Sequence, residues 1–239
     1  MGSYGYTLLF IAVVGFAWEW FAPLQPYPRF KALSGDSLSL ITIVLWWNLN
    51  EKFQDVISPH LWLPSVPQDS LLHSTPVKFF LVFIVLDFIY YWQHRWQHRT
   101  FLWITHRWHH TIRNVNLFSG LRSSLTDVIY FGVAPFLLVF LLPDTIGMVI
   151  FSVVLIQVLS HINIKVNIPI LSKLLVTPQY HRIHHSMQGE HQQNNFGNLW
   201  SFWDRVFGTY IEPEKHTSLP ECGLEQKETV SLLRMGIGI

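Results

Sequence analysis

The sequence predicts an all-α protein: an integral membrane helical bundle with a cytoplasmic, histidine-rich helical cap. Three observations predict it. Half of the 239 residues are apolar and only 13% are charged, about half the charged fraction usual for a soluble domain. Mean hydropathy is +0.27, and apolar runs recur at about 4–21, 37–48, 77–92, 128–142 and 146–159. Lastly, the histidines are bunched: HRWHH at 106–110 is echoed by HRIHH at 181–185.

Each run is expected to be a span. Runs 4–21 and 77–92 approach the ~20 residues that cross the hydrocarbon layer, whereas 37–48 is short and reads as tilted or half-buried. The last two runs flank Pro143-Asp144, the tip of a helical hairpin. Trp18/Trp20 and Trp46/Trp47 stand near run ends, as membrane interfaces favour. The first basic residue is Arg29, so the N-terminal run lacks the charged start of a cleavable signal and is expected to be retained. The chain reads as one membrane domain, 1–239, with a histidine-box region at 81–210 and a polar tail at 211–239 that has no evident task. Cys222 is the single cysteine, which excludes an internal disulfide.

Charge sets orientation and excludes a partner class. Between Phe88 and Thr126 there are five Arg and no Asp or Glu, and Lys165, Lys173 and Arg182 lie in a second acid-free stretch, 145–189. The positive-inside rule puts both in the cytoplasm, so every histidine cluster falls on one side. A net charge of +1 offers no basic field for nucleic acid.

His94 and His98 are four apart directly after the third run. His106, His109 and His110 form a second set, and His181, His184 and His185 a third. Positions i, i+3 and i+4 share a helix face, so each set presents its imidazoles together. His161 stands at the matching depth on the fifth run; taken alone it reads as a hydrogen-bonded core histidine, as do His60, His73 and His216. Eight crowded imidazoles without partners would be costly to bury, and metal coordination supplies the partner. Nitrogen donors suit iron, zinc, copper or nickel. One zinc ion takes four ligands, so eight or nine histidines suit two ions. HExxH is absent, which excludes a zinc peptidase; the acid-free stretches exclude a carboxylate-rich di-iron bundle. Asp87, seven residues before His94 inside an apolar run, is an intramembrane acid expected to accept an imidazole N–H. Asp127 and Asp204 are further candidates for that role.

The segments DFIYYWQHRWQHRTFLWITHRWHHT, HRIHHS and NNFGNLWSFWDRVFGTY resemble the fatty acid hydroxylase/sterol desaturase superfamily of integral-membrane di-iron oxygenases. The resemblance covers about Leu81–Tyr210 and rests on three boxes, HxxxH, HxxHH and HxxHH, followed by WDRVFGTY. It implies that His94, His98, His106, His109, His110, His181, His184 and His185 bind two iron ions, zinc being a substitute in a structure. It adds His161 as a ligand and Asn195 and Asn198 as hydrogen-bonding helpers. Many members carry His-Pro soon after the second box, where this chain reads SGLRSSLTD.

The expected activity is O2-dependent hydroxylation of a lipid C–H bond. Desaturation at the same site, metal transport and purely structural zinc stay open at this level. The expected partners are a membrane lipid and a separate electron donor, a reductase with a ferredoxin or cytochrome b5-like carrier. The short chain without a fused redox domain points to a bacterial inner membrane rather than the endoplasmic reticulum.

Overall fold

Helix ends follow local punctuation. Pro76 stands in the first turn of one helix and Pro178 begins another, where a missing N–H costs nothing. Thr177 caps the second by accepting from the Tyr180 N–H at 3.3 Å. Gly208, at φ 72°, ends the WDRVF helix in the left-handed region that glycine tolerates.

The computed structural model describes residues 3–28, 74–99, 101–141, 155–157, 159–165, 168–213, 220–224 and 232–238, with isolated positions at 30, 41, 48, 52, 56 and 152. In order come α1 (Ser3–Phe21), α2 (Thr75–Gln97), α3 (Trp103–His110), a 3-10 turn (Ser119–Leu121), α4 (Leu125–Leu141), α5 (Pro169–Ser172), α6 (Pro178–His184), α7 (Gly189–Gln192), α8 (Phe202–Phe207) and α9 (Leu232–Ile237). Among the described residues there is no strand, only isolated bridges at Pro23–Ile164, Leu175–Trp200 and Ser186–Cys222. Over the described residues the protein is all-helical, with the box histidines and His161 on or beside helices. Runs 37–48 and 146–159 fall largely, and the Pro143-Asp144 tip wholly, outside the described residues.

Among those residues one helix, over Pro76–Gln97, is long and apolar enough to cross a membrane, with a mean hydropathy of 1.4. Shorter apolar stretches occupy Phe10–Phe21 and Leu125–Phe136. α2 and α4 pack through buried Val82, Leu86, Tyr90 and Ala134, with Ile89 and Phe131 against them. Leu117, Ile162 and Ile164 form a second cluster that takes in Ile11 of α1. Ile112 and Val115, just past the second histidine box, pack on Cys222. The tail thus has a task that the sequence did not show: it clasps the two HxxHH segments together. The Gly223 N–H donates to the His185 carbonyl at 3.0 Å and the Met187 N–H to that of Glu221 at 2.8 Å.

α1 is joined to this assembly by a buried carboxylate. Glu19 Oε1 accepts the backbone N–H of Leu117 at 2.7 Å and that of Asn163, and Oε2 accepts from the Tyr27 hydroxyl. Arg182, 1% exposed between the histidines of the third box, donates to Gln25 Oε1, the Val115 carbonyl and Asn163 Oδ1 at 2.8–3.1 Å. A guanidinium buried with this many acceptors holds three chain segments in one register.

Gly120, in the 3-10 turn, lies so close to the histidine region that an added Cβ would be 2.5 Å from the Gln157 carbonyl and 2.8 Å from His161 Nδ1. Because overpacking a close-packed site costs about 1–3 kcal/mol, Gly120→Ala is expected to lower the unfolding temperature in detergent. An unchanged midpoint would show that the turn yields freely.

Candidate metal centre

Four chain segments deliver histidines to one place. His94 rides the last turn of α2 and His98 caps it; His106, His109 and His110 share a face of α3. His161 ends a helical segment at 159–161, and α6 supplies His181 and His184, with His185 at its C-cap. All nine are buried, none more than 6% exposed. They divide into two groups: His94, His98, His106, His110 and His184 in one, and His109, His161, His181 and His185 in the other. Within each group the ligand atoms lie within 4.8 Å of one another. The groups adjoin, with His106 stacked on His109 at 4.9 Å between ring centroids and His110 on His185 at 4.6 Å.

The tautomers explain why these rings call for cations. His94 Nδ1–H donates to the Phe196 carbonyl at 3.0 Å, and His106 Nδ1–H to Asp127 Oδ1 at 3.1 Å. His109 Nδ1–H donates to the Arg122 carbonyl at 2.8 Å, His161 Nδ1–H to that of Gln157 at 3.0 Å, and His184 Nδ1–H to that of Asn194 at 2.8 Å. A neutral imidazole has one N–H, so Nε2 of each of these rings is a bare lone pair. Yet His94 Nε2 and His106 Nε2 are 3.1 Å apart, and His109 Nε2 and His161 Nε2 are 3.2 Å apart. His181 Nε2 and His185 Nε2 complete the second group, at 3.1–3.2 Å from His161 and from each other. Opposed lone pairs at that distance repel unless a cation lies between them. Two nitrogens about 2.1 Å from one ion, at right to tetrahedral angles, lie roughly 3.0–3.4 Å apart. The donor set therefore fits a metal in each group. His98 and His110 add to the case: neither ring nitrogen of either has a hydrogen-bond partner among the described residues.

Burial also keeps the rings neutral, as ligation requires. It pushes His161 and His184 down to about 3. His109, His110, His181 and His185 are driven well below the ordinary imidazole value, by burial first and by neighbouring imidazoles second.

The carboxylates have different tasks from one another. Asp127, 1% exposed, accepts from both His106 and the Gln97 amide, at 3.1 and 2.8 Å, and so orients a ring directly. Asp87 does not touch an imidazole, which corrects the expectation for it. Its carboxylate takes the backbone N–H groups of Leu199 and Trp200 and the Trp203 indole N–H, because the chain after the third box folds back onto α2. Asp204 acts one step removed: it accepts from the Phe196 and Gly197 N–H groups, Tyr180 and Thr209, fixing the loop whose Phe196 carbonyl holds His94. Asn195, at φ 59°, bonds Tyr180 and Ile211 backbone groups rather than an imidazole, so its help is equally indirect. Asn198 lines a pocket reached by His94 and His106 of one group and His109 and His181 of the other. His191 bonds Ser186 and lies outside both groups. His60, His73 and His216 lie outside the described residues.

Sequence reasoning missed most of the ring-orienting acceptors because four of the five are backbone carbonyls, which leave no trace in residue identity. Glu19 and Arg182 were missed too. An acid inside an apolar run and an Arg enclosed by box histidines were the available signals.

Fold and site together define a helical, histidine-box protein built to hold metal. The model of the family described as fatty acid hydroxylase matches residues 79–209, more than half of the chain. This chain belongs to that family, within the fatty acid hydroxylase/sterol desaturase superfamily. It is 28% identical over 219 residues to an alkylglycerol monooxygenase of Xenopus tropicalis, covering 90% of this chain and 48% of that protein. The human alkylglycerol monooxygenase is 30% identical over 209 residues, 75% of this chain and 47% of the relative. An ornithine lipid hydroxylase of Rhizobium tropici is 27% identical over 140 residues, 56% and 42% of the two chains. The chain spans about half the length of the curated relatives it matches. No solved structure matches it.

Asp127→Ala removes the acceptor of His106 Nδ1–H, and loss of such a partner typically weakens metal affinity about 10–100-fold. Chelator competition on the purified chain is expected to show that drop, and wild-type affinity would refute the orienting role. The metal-free protein should also respond to acid. Unfolded, its imidazoles titrate near 6.5, whereas His161 and His184 in the fold titrate near 3. The unfolded chain therefore binds more protons between those values, and stability rises with pH through that window. Denaturation midpoints in detergent are expected to be highest above about pH 6.5 and to fall steadily below it; a flat profile would contradict this.

Proposed function

We propose that this chain is an O2-dependent di-iron hydroxylase acting on a C–H bond of a membrane lipid. The observation that carries the reading is the pair of adjoining groups in which bare Nε2 lone pairs face one another with no proton between them. His94, His98, His106, His110 and His184 would hold one iron, and His109, His161, His181 and His185 the other. The two ions supply O2 activation: one oxygen atom enters the C–H bond, and the other leaves as water with two electrons and two protons from a donor. The protein's own residues keep bulk water out, because all nine rings are buried. Asp127 and the Phe196, Arg122, Gln157 and Asn194 carbonyls hold the Nδ1 protons of His106, His94, His109, His161 and His184, so the Nε2 atoms of these five rings stay aimed inward. Tyr90 and Phe131 form an aromatic side of the pocket that touches both groups; they would guide an alkyl segment to the position the two sites share.

The substrate class draws support from relatives named for oxidising alkylglycerols and ornithine lipids. The apolar runs support a membrane-spanning bundle, and the acid-free, Arg-bearing stretches support a cytoplasmic face for the histidines. Electrons would come from a separate reductase through a ferredoxin or cytochrome b5-like carrier.

Two measurements test this. The detergent-purified chain should bind about two irons, as two separate nitrogen sites require. Lipids from cells expressing it should include a species one oxygen heavier that is lost with His106→Ala plus His109→Ala. A product lighter by two hydrogens would instead make it a desaturase, and bound metal without lipid-dependent O2 consumption would overturn the oxygenase reading.

A further inference from the structure

The segments around α5 and α8 are zipped into one unit. The Val176 N–H donates to the Leu199 carbonyl at 2.8 Å, the Ser201 N–H to that of Leu174 at 3.1 Å, and the Ser201 hydroxyl to that of Ser172 at 2.6 Å. With its backbone groups paired inward, the unit exposes Ile168, Ile170, Leu171, Leu174, Phe202 and Val206, Ile170 by 76% and Leu174 by 59%. A concentration of large apolar side chains like this marks a surface that something covers.

Where the unit sits identifies the cover. The Asp87 carboxylate takes the Leu199, Trp200 and Trp203 N–H groups. Phe88 packs edge-on to Trp203, and Trp92 to Phe207, both at 4.9 Å between centroids. The unit therefore lies beside residues 87–92 of α2, inside that helix's apolar run rather than beyond its end. Asp87 is ten residues from Gln97, about 15 Å along the axis. Phe80, Val85 and Phe88 of α2 are themselves exposed. Lys165 and Arg205 are also exposed, with the Arg205 guanidinium 5.2 Å over the Tyr210 ring. Lys173 is half-exposed and meets Glu212 at 3.5 Å.

We infer that the α5–α8 unit is a monotopic membrane platform: its apolar side chains enter the cytoplasmic leaflet beside α2, and Lys165, Lys173 and Arg205 meet anionic lipid headgroups. This rests on the reading that α2 spans the membrane with its histidine end in the cytoplasm. Short apolar elements with basic neighbours seat at the boundary between headgroups and acyl chains, where Lys and Arg gain from anionic lipid. The platform also carries Asn198 into the pocket and follows the Phe196 carbonyl that orients His94. Seating it in lipid would place the pocket directly beside the acyl region and give Asp87, deep in an apolar helix, a structural reason to exist.

The test uses the full chain in phosphatidylcholine vesicles, with and without phosphatidylglycerol. An environment-sensitive fluorophore is attached at Ile170→Cys, Val206→Cys, Val85→Cys or Gln188→Cys; the parent chain, whose Cys222 is buried, serves as the blank. Labels at 170 and 206 should be quenched by lipid-borne nitroxide, as the label at 85 is, and several-fold less by aqueous iodide than the label at 188. Lys165→Glu, Lys173→Glu and Arg205→Glu combined should weaken lipid quenching at 170 and 206 in phosphatidylglycerol vesicles while leaving position 85 unchanged. Iodide-accessible labels at 170 and 206, with 85 still in lipid, would overturn the platform alone. An iodide-accessible label at 85 would overturn the spanning reading, and the platform with it. Labels shielded from both quenchers would show that a protein surface covers the patch, which also overturns the proposal.

Discussion

The structure turns on lone pairs that face one another. With the Nδ1–H of His94, His106, His109 and His161 each donated to an oxygen acceptor, four Nε2 atoms are left with lone pairs opposed in two pairs across 3.1–3.2 Å. In water such rings would turn away or take up protons. Here burial penalises the charged form, and the surrounding carbonyls penalise the turn. The fold thus stores an electrostatic demand that cations meet, and the rest of the molecule can be understood as the means of keeping that demand in place.

The means are distributed over distant parts of the chain. α2 and α3 bring the first two boxes, α4 begins with Ser124 accepting from the Asp127 N–H at 3.1 Å, and so presents Asp127 to His106. α1 reaches in through Glu19 to the backbone beside His161, and Arg182 links Gln25, Val115 and Asn163 under the third box. The tail closes over both HxxHH segments. Among the described residues, buried polar groups are mostly paired within such networks, the condition under which they specify one arrangement rather than destabilise it. More than half of the exceptions among the described residues are ring nitrogens of the box histidines, both nitrogens of His98 and of His110 included, and a metal ion would take one nitrogen of each ring.

Asp87 shows how an apolar helix tolerates an acid. Its oxygens are taken by three N–H donors from one folded-back segment, so the same contact that satisfies the carboxylate fixes the loop leading into the pocket. Position within the helix, rather than proximity to a histidine, decides its role. Asp127 carries the same functional group but lies at a helix start opposite α3, and it becomes the direct partner of an imidazole.

Residue identity and spacing were enough to determine that the chain is helical, that it carries three histidine boxes suited to two ions, and which superfamily it resembles. Helical periodicity puts i, i+3 and i+4 side by side without any tertiary contact, so the boxes were legible as faces. Tertiary structure decided what periodicity cannot encode. It split nine histidines five and four, drew His161 into the smaller group, and divided the tasks of Asp87, Asp127 and Asp204. It also recruited Glu19 and the tail around Cys222 from outside the boxes, and Arg182 from within the third. The reason is that these outcomes depend on which backbone carbonyls and N–H groups meet in the folded chain, over separations from 4 residues for His161 and Gln157 to 144 for Glu19 and Asn163, and a carbonyl has the same chemistry whatever side chain stands beside it.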